Sequence, residues 1–336
     1  MGGTHSSLPS VPEVEVPLYD LCVGKDICTI ESYVRNCVDV NKMEGDLKET
    51  ALQAAVRNSE YDFVKILLSH PDIDPNAESY YRNTPLLEAC RLNNREIVRL
   101  LLSHPKVDMN YLSPLGSACD AGHVELVKEL LELDGIDVNS ENFKTPFYAS
   151  VLRKRVEIVK LLLNDERVDV NHLHDGKESA LHRVCGYHSD FEMLNILLSS
   201  DRIDVNVPSG PEHLGDSGHT PLHIAIRNNH LHIVERLLSE PEIDLNKTNS
   251  VDQTPFEQAL RNYDNSFVCA LLKHPKLTMD VERLSLFLRY STDKELVVLL
   301  CGALEIPAEE LYKYNETMLL RPEQAFIRLV RKDTPR

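Results

Sequence analysis

The sequence lacks a hydrophobic run that could cross a membrane, and it lacks the motifs of the common enzyme classes. Its longest apolar stretch, Leu296–Leu304, is far shorter than the roughly 20 residues that a membrane-spanning helix needs. No Gly-rich phosphate loop, no H-E-x-x-H zinc motif and no nucleophile motif is present. The aspartates and glutamates form no pair that stands out as catalytic. We therefore expect a protein that is not an enzyme and that carries no cofactor.

Positive charge and paired cysteines are also scarce. The 336 residues hold 36 Lys and Arg against 53 Asp and Glu, which gives a net charge of −17. An acidic chain repels the phosphate backbone of nucleic acids, so nucleic acid is not an expected partner. None of the eight cysteines forms a C-x-x-C pair, and we interpret them as reduced structural thiols. Because the beginning of the chain has no hydrophobic run typical of a secretory signal, we expect a cytoplasmic location, and a nuclear one is compatible.

What the sequence has in abundance is repetition, and the fullest copy is TPLHIAIRNNHLHIVERLLSEPEIDLN at Thr220–Asn246. The closing asparagine recurs at Asn41, Asn76, Asn110, Asn139, Asn171, Asn206 and Asn246. The opening threonine or serine recurs at Thr50, Thr84, Ser113, Thr145, Ser179, Thr220 and Thr254. A period of roughly 33 residues indicates a solenoid, in which each repeat buries its apolar side against its neighbours.

Each repeat predicts a helix, a turn, a second helix and a loop. The hydroxyl of the opening residue is expected to cap the first helix, and the proline that often follows suits the first helical position. In the second helix, apolar residues such as Ile97, Val98 and Leu101 lie on one face. The small-residue place near the end of the first helix is taken in three repeats by Cys90, Cys119 and Cys185. We interpret these cysteines as core residues.

These repeats resemble the ankyrin family. The resemblance rests on T-P-L-H at Thr220–His223, on I-V-x-x-L-L and on D-x-N, and it covers roughly residues 17–280. It implies an all-α solenoid of about eight helix-turn-helix units separated by finger loops. In this family, partners are usually bound by the fingers and by the exposed ends of the first helices, along the concave face. One departure recurs, because His-Pro precedes the Asp-containing turn at His70, His104 and His274.

The repeats divide the chain into a leader (1–16), a solenoid (17–280) and a helical extension (281–332). The plainest role of the extension is a cap over the last repeat, since an uncovered repeat would expose apolar surface. The sharper alternative is an adaptor box that recruits a ubiquitin ligase, because some ankyrin proteins carry a SOCS box in this place. Val297 and Cys301 lie in a stretch with a faint likeness to that box.

The amino terminus fits the pattern for myristoylation of Gly2, M-G-x-x-x-[ST]. A single acyl chain gives only weak, reversible membrane binding. The leader supplies no second signal, because the chain contains no Lys or Arg up to Asp20. If Gly2 is acylated, we expect peripheral membrane contact that comes and goes. The alternative is an inert leader.

The exposed end of the first helix carries an arginine in most repeats: Arg57, Arg91, Arg153, Arg227 and Arg261. A row of arginines on an acidic chain predicts recognition of an acidic or phosphorylated segment. The alternative is structural, because a cation in the last turn of a helix complements the helix dipole.

Aromatic residues occupy finger or groove positions in the middle repeats: Tyr80, Tyr81, Tyr111, Phe143 and Tyr187. Exposed aromatic rings are frequent anchors of protein interfaces, so we predict a partner-binding surface here. The alternative is that some of these rings pack between fingers. The longest finger, Val207–His219, is a further candidate contact, or else a tolerant loop that has drifted in length. Its Gly and Pro content suggests mobility when no partner is bound.

A group of potential metal ligands lies close together in the sequence: His172, His174, His182, Cys185 and His188. Their spacing matches no standard zinc pattern. His182 occupies the T-P-L-H place, where the imidazole is expected to bond to the backbone, and Cys185 occupies a core place. No metal site is predicted.

The sequence therefore predicts a non-catalytic module that binds a protein partner along the concave face of an ankyrin solenoid, tethered to a membrane if Gly2 is acylated. The alternative is a substrate receptor of a ubiquitin ligase that uses the extension. The same repeats would also suit an effector protein of a pathogen.

Overall fold

The computed structural model describes residues 31, 34, 39–141, 144–188, 190–210, 217–262, 264–278 and 294–303. In these ranges the regular secondary structure is helical, apart from two isolated β-bridges that join Glu44 to Glu49 and His174 to Glu178. None of the described helices is both long and apolar enough to span a bilayer. The all-α prediction is confirmed for this part of the chain.

Each repeat contributes two short helices that we number in chain order. The first helices are α1 (Ala51–Arg57), α3 (Pro85–Arg91), α5 (Pro114–Ala121), α7 (Pro146–Leu152), α9 (Ala180–Arg183), α11 (Pro221–Arg227) and α13 (Pro255–Ala259). The second helices are α2 (Tyr61–Leu68), α4 (Arg95–Leu102), α6 (Val124–Leu131), α8 (Val156–Asn164), α10 (Phe191–Leu198), α12 (Leu231–Leu238) and α14 (Ser266–Leu272). A π-helix, Val184–His188, continues α9, and a later helix is α15 (Lys294–Ala303).

The first helices begin where the sequence predicts. The hydroxyl of each opening Thr or Ser accepts the backbone N–H three residues later, at 3.2–3.5 Å. These caps satisfy donors that have no partner inside the helix, and each contributes about 0.5–2 kcal/mol. Because the bond joins neighbours in the chain, the residue type alone was enough to predict it.

The chain divides into two compact units, unit 1 (Met1–Ala149) and unit 2 (Ser150–Arg336). Within unit 1, α3 packs between α1 and α5, and α2 packs beside α4. Within unit 2, α11 packs between the π-helix and α13, and α12 packs between α10 and α14. Helices of this length are marginal alone, so each depends on the helices of adjacent repeats. The core is therefore distributed along each unit, as the repeats predict.

The three cysteines at the small-residue place lie in the core. Cys90, Cys119 and Cys185 are reduced thiols with no exposed surface. Burial raises the pKa of the Cys90 and Cys185 thiols well above the usual value, so both remain protonated near neutral pH. The interpretation of these residues as structural, unreactive core residues is confirmed.

Six of the closing asparagines join consecutive repeats within a unit, a role that their regular spacing in the sequence did not reveal. Each side-chain Oδ1 accepts a backbone N–H of the next repeat, and each Nδ2 donates to a carbonyl two residues before that N–H. In unit 1 the asparagines that make both bonds are Asn41, Asn76 and Asn110. In unit 2 they are Asn171, Asn206 and Asn246. We call this series the asparagine ladder.

A basic residue makes a second junction in several repeats. The Lys106 ammonium donates to the Pro71 carbonyl of the preceding repeat at 2.7 Å, and Lys276 donates in the same way to Pro241. Arg202 makes the most extensive contact of this kind, with the carbonyls of Leu163, Asp165, Glu166 and Val168. These carbonyls lie at and just after the end of α8, where helix carbonyls lack partners inside the helix.

The recurrent His-Pro departure also has a local explanation. The imidazole Nδ1 of His70, His104 and His274 accepts the backbone N–H two residues later, at 3.1, 3.3 and 3.2 Å. The histidine thereby closes the turn that follows the second helix, as Asp, Asn or Ser does in many turns. The departure changes the chemistry of the turn and leaves the repeat intact.

Replacing Asn206 by alanine tests the asparagine ladder. The change removes the bonds to the Glu242 carbonyl, 2.7 Å, and the Asp244 N–H, 2.8 Å. We expect the free energy of unfolding to fall by about 1–3 kcal/mol, because two hydrogen bonds are lost. Urea unfolding followed by circular dichroism measures the loss, with Asn164→Ala at the exposed end of α8 as the matched control. Equal losses in the two variants would contradict a specific role for the ladder.

The structure describes only part of the extension. The helix α15 lies within the stretch for which the sequence predicts a helix, and it buries Leu296 and Leu300. The cap that we predict for residues 281–332 otherwise lies outside the described residues, as do the leader 1–16 and Gly2. Those assignments stay predictions.

Candidate functional site

The first-helix arginines of unit 1 are held by carboxylates of their own repeats. Arg57 contacts Glu49 at 3.0 Å, and Arg91 makes two bonds to Glu88, at 2.9 and 2.6 Å. Burial raises the pKa of the Glu88 carboxyl, but hydrogen bonds from Arg91 and Asn83 outweigh it and leave the pKa below its usual value. Glu88 is therefore ionised near neutral pH. An acidic partner would have to compete with these internal carboxylates.

In unit 2, the predicted arginines lie at the surface. Arg153 directly follows α7, Arg227 is the last residue of α11 and Arg261 follows α13; all three are exposed. Arg227 is placed as the dipole interpretation requires, in the last turn of a helix. Recognition of an acidic or phosphorylated segment by these side chains stays a prediction.

The most exposed aromatic rings lie on one finger of unit 1. We call residues 78–83 the tyrosine finger. Tyr80 and Tyr81 are 71% and 72% exposed, and their rings meet edge to face with centroids 5.3 Å apart. The backbone beneath them is fixed, because Ser79 and Asn83 bond across the finger and Tyr80 N–H donates to the Leu47 carbonyl of the preceding finger, each at 3.0 Å. Two large rings thus project from a held backbone.

Tyr111, from the next and shortest finger, joins the tyrosine finger. Its hydroxyl donates to the Glu78 carboxylate, which also contacts Arg82 at 3.0 Å. The hydrogen bonds from Tyr111 and Arg82 lower the pKa of Glu78, and the bond to Glu78 raises the pKa of Tyr111. Three of the predicted aromatic residues, Tyr80, Tyr81 and Tyr111, therefore belong to one cluster in unit 1.

Tyr187 belongs to a separate feature in unit 2. Its ring is 68% exposed, and the Arg183 guanidinium lies over it, 4.2 Å from the centroid. Arg183 also contacts Glu178 at 3.3 Å. A guanidinium over a ring is attractive and fixes the ring's orientation. Arg183 was not among the predicted residues, although its spacing of four residues from Tyr187 places both on one side of a helix.

The π-helix that carries Tyr187 has a signal in the sequence. One more residue separates Ser179 from Phe191 than separates Thr220 from Leu231 in the next repeat. A π-helix holds more residues per turn than an α-helix, so it can absorb an added residue without shifting the second helix. Gly186 lies within this turn, and a Cβ there would come 2.9 Å from an Ile224 methyl carbon.

The long finger is packed at its base, while its mobility when no partner is bound stays a prediction. Val207 and Ser209 are buried, and Ser209 exchanges backbone bonds with Gly218 and His219, at 2.9 and 2.8 Å. Gly210 N–H donates to the Lys177 carbonyl of the preceding finger at 2.8 Å. Residues 211–216 lie outside the described part. A partner contact by this finger stays a prediction.

The remaining candidates are placed as follows. Phe143 lies outside the described residues. His182 donates from Nε2 to the His219 carbonyl at 2.8 Å, which confirms that its imidazole bonds to the backbone. Cys185 is buried in the core, and the side chain of His188 is not described. Across the described ranges, no group of three or more His, Cys, Asp or Glu side chains is arranged to hold a metal ion.

Comparison with known proteins gives one match to a protein family. The family model described as ankyrin repeats matches three times, over residues 20–113, 115–209 and 181–283. The matched segments cover most of the chain and every repeat that carries the residues described above. A search of curated proteins found no match.

Proposed function

Because the chain belongs to the ankyrin-repeat family, we propose that it binds a protein partner and that the tyrosine finger with Tyr111 is the anchor of that contact. Ankyrin repeats are in general protein-interaction modules without catalytic activity. Their apolar residues pack between neighbouring repeats, so the fingers and the exposed ends of the helices are the surfaces left for binding. Of these surfaces, the tyrosine finger with Tyr111 is the one that we propose as the anchor.

The exposure of Tyr80 and Tyr81 is the observation that carries the proposal. Large aromatic rings bury much apolar area when a partner covers them, and few rotatable bonds have to be fixed in the process. Here the backbone beneath the rings is already fixed by its bonds to Asn83 and Leu47. The loss of backbone entropy when a partner binds is therefore small, which favours affinity.

The charge around the cluster bears on the chemistry of the partner. Arg57, Arg82 and Arg91 each contact a carboxylate within unit 1. An acidic or phosphorylated segment would therefore gain less from this surface than the count of arginines implies. We propose that aromatic contact supplies most of the binding in unit 1.

A double substitution, Tyr80→Ser with Tyr81→Ser, tests the anchor. We expect the amount of partner captured from a cell extract by the full chain to fall at least about 10-fold, because interface anchors of this type carry a large share of the binding energy. The thermal unfolding temperature should hardly change, since both rings are exposed. Quantitative mass spectrometry of the captured proteins measures the loss.

Tyr61→Ser is the matched control, because Tyr61 is also exposed in unit 1 but lies at the start of α2, away from the fingers. Capture by this variant should equal that by the wild type. If the double variant retains the same partners at wild-type levels, the tyrosine finger is not the anchor and the proposal fails.

Two finer proposals rest on the sequence. Acylation of Gly2 would tether the module weakly to a membrane, and a Gly2→Ala variant would then lose membrane association while keeping its partner. Recruitment of a ubiquitin ligase through the extension is the alternative function. Val297 and Cys301, on which its likeness rests, lie in α15. Ligase subunits among the captured proteins would support this alternative, and their absence would favour the cap.

A further inference from the structure

Unit 2 buries three histidines where its fingers meet its first helices. His182, His219 and His223 are 1%, 4% and 0% exposed. The rings of His219 and His223 meet at nearly a right angle, with centroids 5.5 Å apart. The His182 ring bonds to the His219 backbone. The three side chains therefore form one cluster across consecutive repeats.

Two of these histidines act as bridges that require a neutral ring. His182 accepts the Ser179 backbone N–H on Nδ1 at 3.2 Å and donates from Nε2 to the carbonyl of His219 in the next finger. His223 does the same with the Thr220 N–H, 3.1 Å, and the Gln253 carbonyl, 3.0 Å. These contacts assign the proton to Nε2. A proton added to Nδ1 would face the N–H donor and abolish that bond. It would also have to be accepted by the hydroxyl of Ser179 or Thr220, 2.9 and 2.8 Å from Nδ1, whose oxygen already accepts the capping N–H.

Few charges in the surroundings favour protonation. Burial lowers the pKa of His182 to about 4, opposed in part by the backbone bond to His219 and by the carboxylate of Asp204. Burial is also the main cause that lowers the pKa of His223 to about 4; the backbone bond to Gln253 opposes this shift, and the rings of His219 and His182 add to it.

The other nearby carboxylates are engaged elsewhere. Glu178 contacts Arg183 at 3.3 Å, and Glu257 accepts the Thr254 backbone N–H at 2.9 Å. The uncharged side-chain amide of Asn249 lies 3.5 Å from Nδ1 of His219.

The equivalent positions of unit 1 carry no histidine. Three residues after the opening Thr or Ser, unit 1 has Gln53, Leu87, Gly116 and Tyr148. None of these side chains gains a proton in mild acid. Gln53 even reproduces both bonds of the histidine bridge, because its Oε1 accepts the Thr50 N–H at 2.8 Å and its Nε2 donates to the Ala77 carbonyl at 3.0 Å.

We infer that unit 2 is an acid-sensitive segment: mild acid opens the repeats that His182 and His223 bridge, while the repeats of unit 1 remain closed. A partner held by the fingers of unit 2 would be released by the same change. The inference is independent of the tyrosine finger, which lies in unit 1.

The direction follows from proton binding. The folded form takes up a proton on each histidine only near pH 4, whereas the unfolded chain does so near the usual value of 6.5. The contribution of these histidines to the stability of unit 2 is therefore fully present above pH 6.5, and it is lost as the pH drops from 6.5 towards 4. At pH 5 each histidine lowers the ratio of closed to open forms by about 30-fold, as an upper estimate.

Hydrogen exchange of the full chain at pH 7.5 and pH 5.0, read by mass spectrometry, tests the inference. Protection is compared after correction for the intrinsic exchange rate at each pH. We expect peptides from residues 179–227 and 250–260 to lose at least about 10-fold in protection at pH 5.0. Peptides from residues 50–131 should lose little. Equal losses in the two units, or none in unit 2, would overturn the inference.

The double variant His182→Gln, His223→Gln identifies the cause. Gln53 indicates that glutamine fits such a position, so the bridges should persist and unit 2 should keep its protection at pH 5.0. His232→Gln is the matched control, because His232 is exposed in the same unit, and it should keep the acid sensitivity of the wild type. If the double variant does not fold at pH 7.5, each single variant should show about half of the logarithmic effect. A double variant as acid-sensitive as the wild type would exclude these histidines.

Discussion

Replacing Arg202 by methionine is expected to lower the free energy of unfolding by about 3 kcal/mol, the largest effect that we expect from a single surface-accessible residue. The guanidinium donates to the Leu163 and Asp165 carbonyls at 3.0 and 2.9 Å, and to those of Glu166 and Val168. Methionine keeps most of the packing volume and removes every donor. The carbonyls at the end of α8 then lose a charged partner, which costs more than the loss of a neutral one.

Arg202→Lys is the informative control. Lys106 and Lys276 occupy the corresponding places of other repeats, and each reaches a carbonyl of the preceding repeat. A lysine at position 202 should therefore recover part of the stability that methionine loses, about half. Urea unfolding measures both variants. If methionine and lysine behave alike and close to the wild type, the contacts of Arg202 contribute nothing that water does not replace.

Replacing Gly210 by alanine is the second large effect that we expect, about 2–3 kcal/mol, because it forces two finger backbones apart. A Cβ at this position would lie 1.6 Å from the Gly176 carbonyl oxygen and 2.7 Å from the carbonyl carbon. Both are backbone atoms, so no side chain can rotate out of the way. The movement would also break the bond from Gly210 N–H to the Lys177 carbonyl.

Gly302→Ala provides the contrast. Gly302 lies in α15, and a Cβ there would meet nothing within 4 Å. Alanine favours a helix over glycine by about 1 kcal/mol, so this variant should be neutral or slightly more stable. Differential scanning calorimetry of both variants checks the pair. A Gly210 variant that melts with the wild type would show that the fingers separate at little cost.

The sequence predicted those features that depend on near neighbours in the chain. The cap at Thr220 joins residues three apart, and the buried face of α4 follows from the spacing of Ile97, Val98 and Leu101. Such interactions are implied by residue type and spacing alone. The repeat also made the burial of Cys90 predictable, because its place in the pattern is a core place.

Interactions between repeats could not be predicted from residue type and spacing alone. Asn206 stood out as a regular marker, but its partners, Glu242 and Asp244, belong to the next repeat. The arginines were misleading for a different reason, because the helix pattern displays Arg57 but does not show that Glu49, just before the cap of the same helix, contacts it. Predicting the partners of Asn206 would require the stagger between repeats, which depends on finger length and therefore varies from one junction to the next.

The asparagine ladder bears on how such a chain can change in length. At each junction of the ladder one side supplies an asparagine, while the other supplies only a backbone N–H and a backbone carbonyl. Every residue type except proline offers both groups. A repeat can therefore be added, lost or exchanged without a matching substitution in its neighbour, provided that it ends in asparagine and keeps its turn. Selection can vary the fingers and helix ends of one repeat while the junctions remain compatible, and a surface suited to a new partner can arise within an existing array.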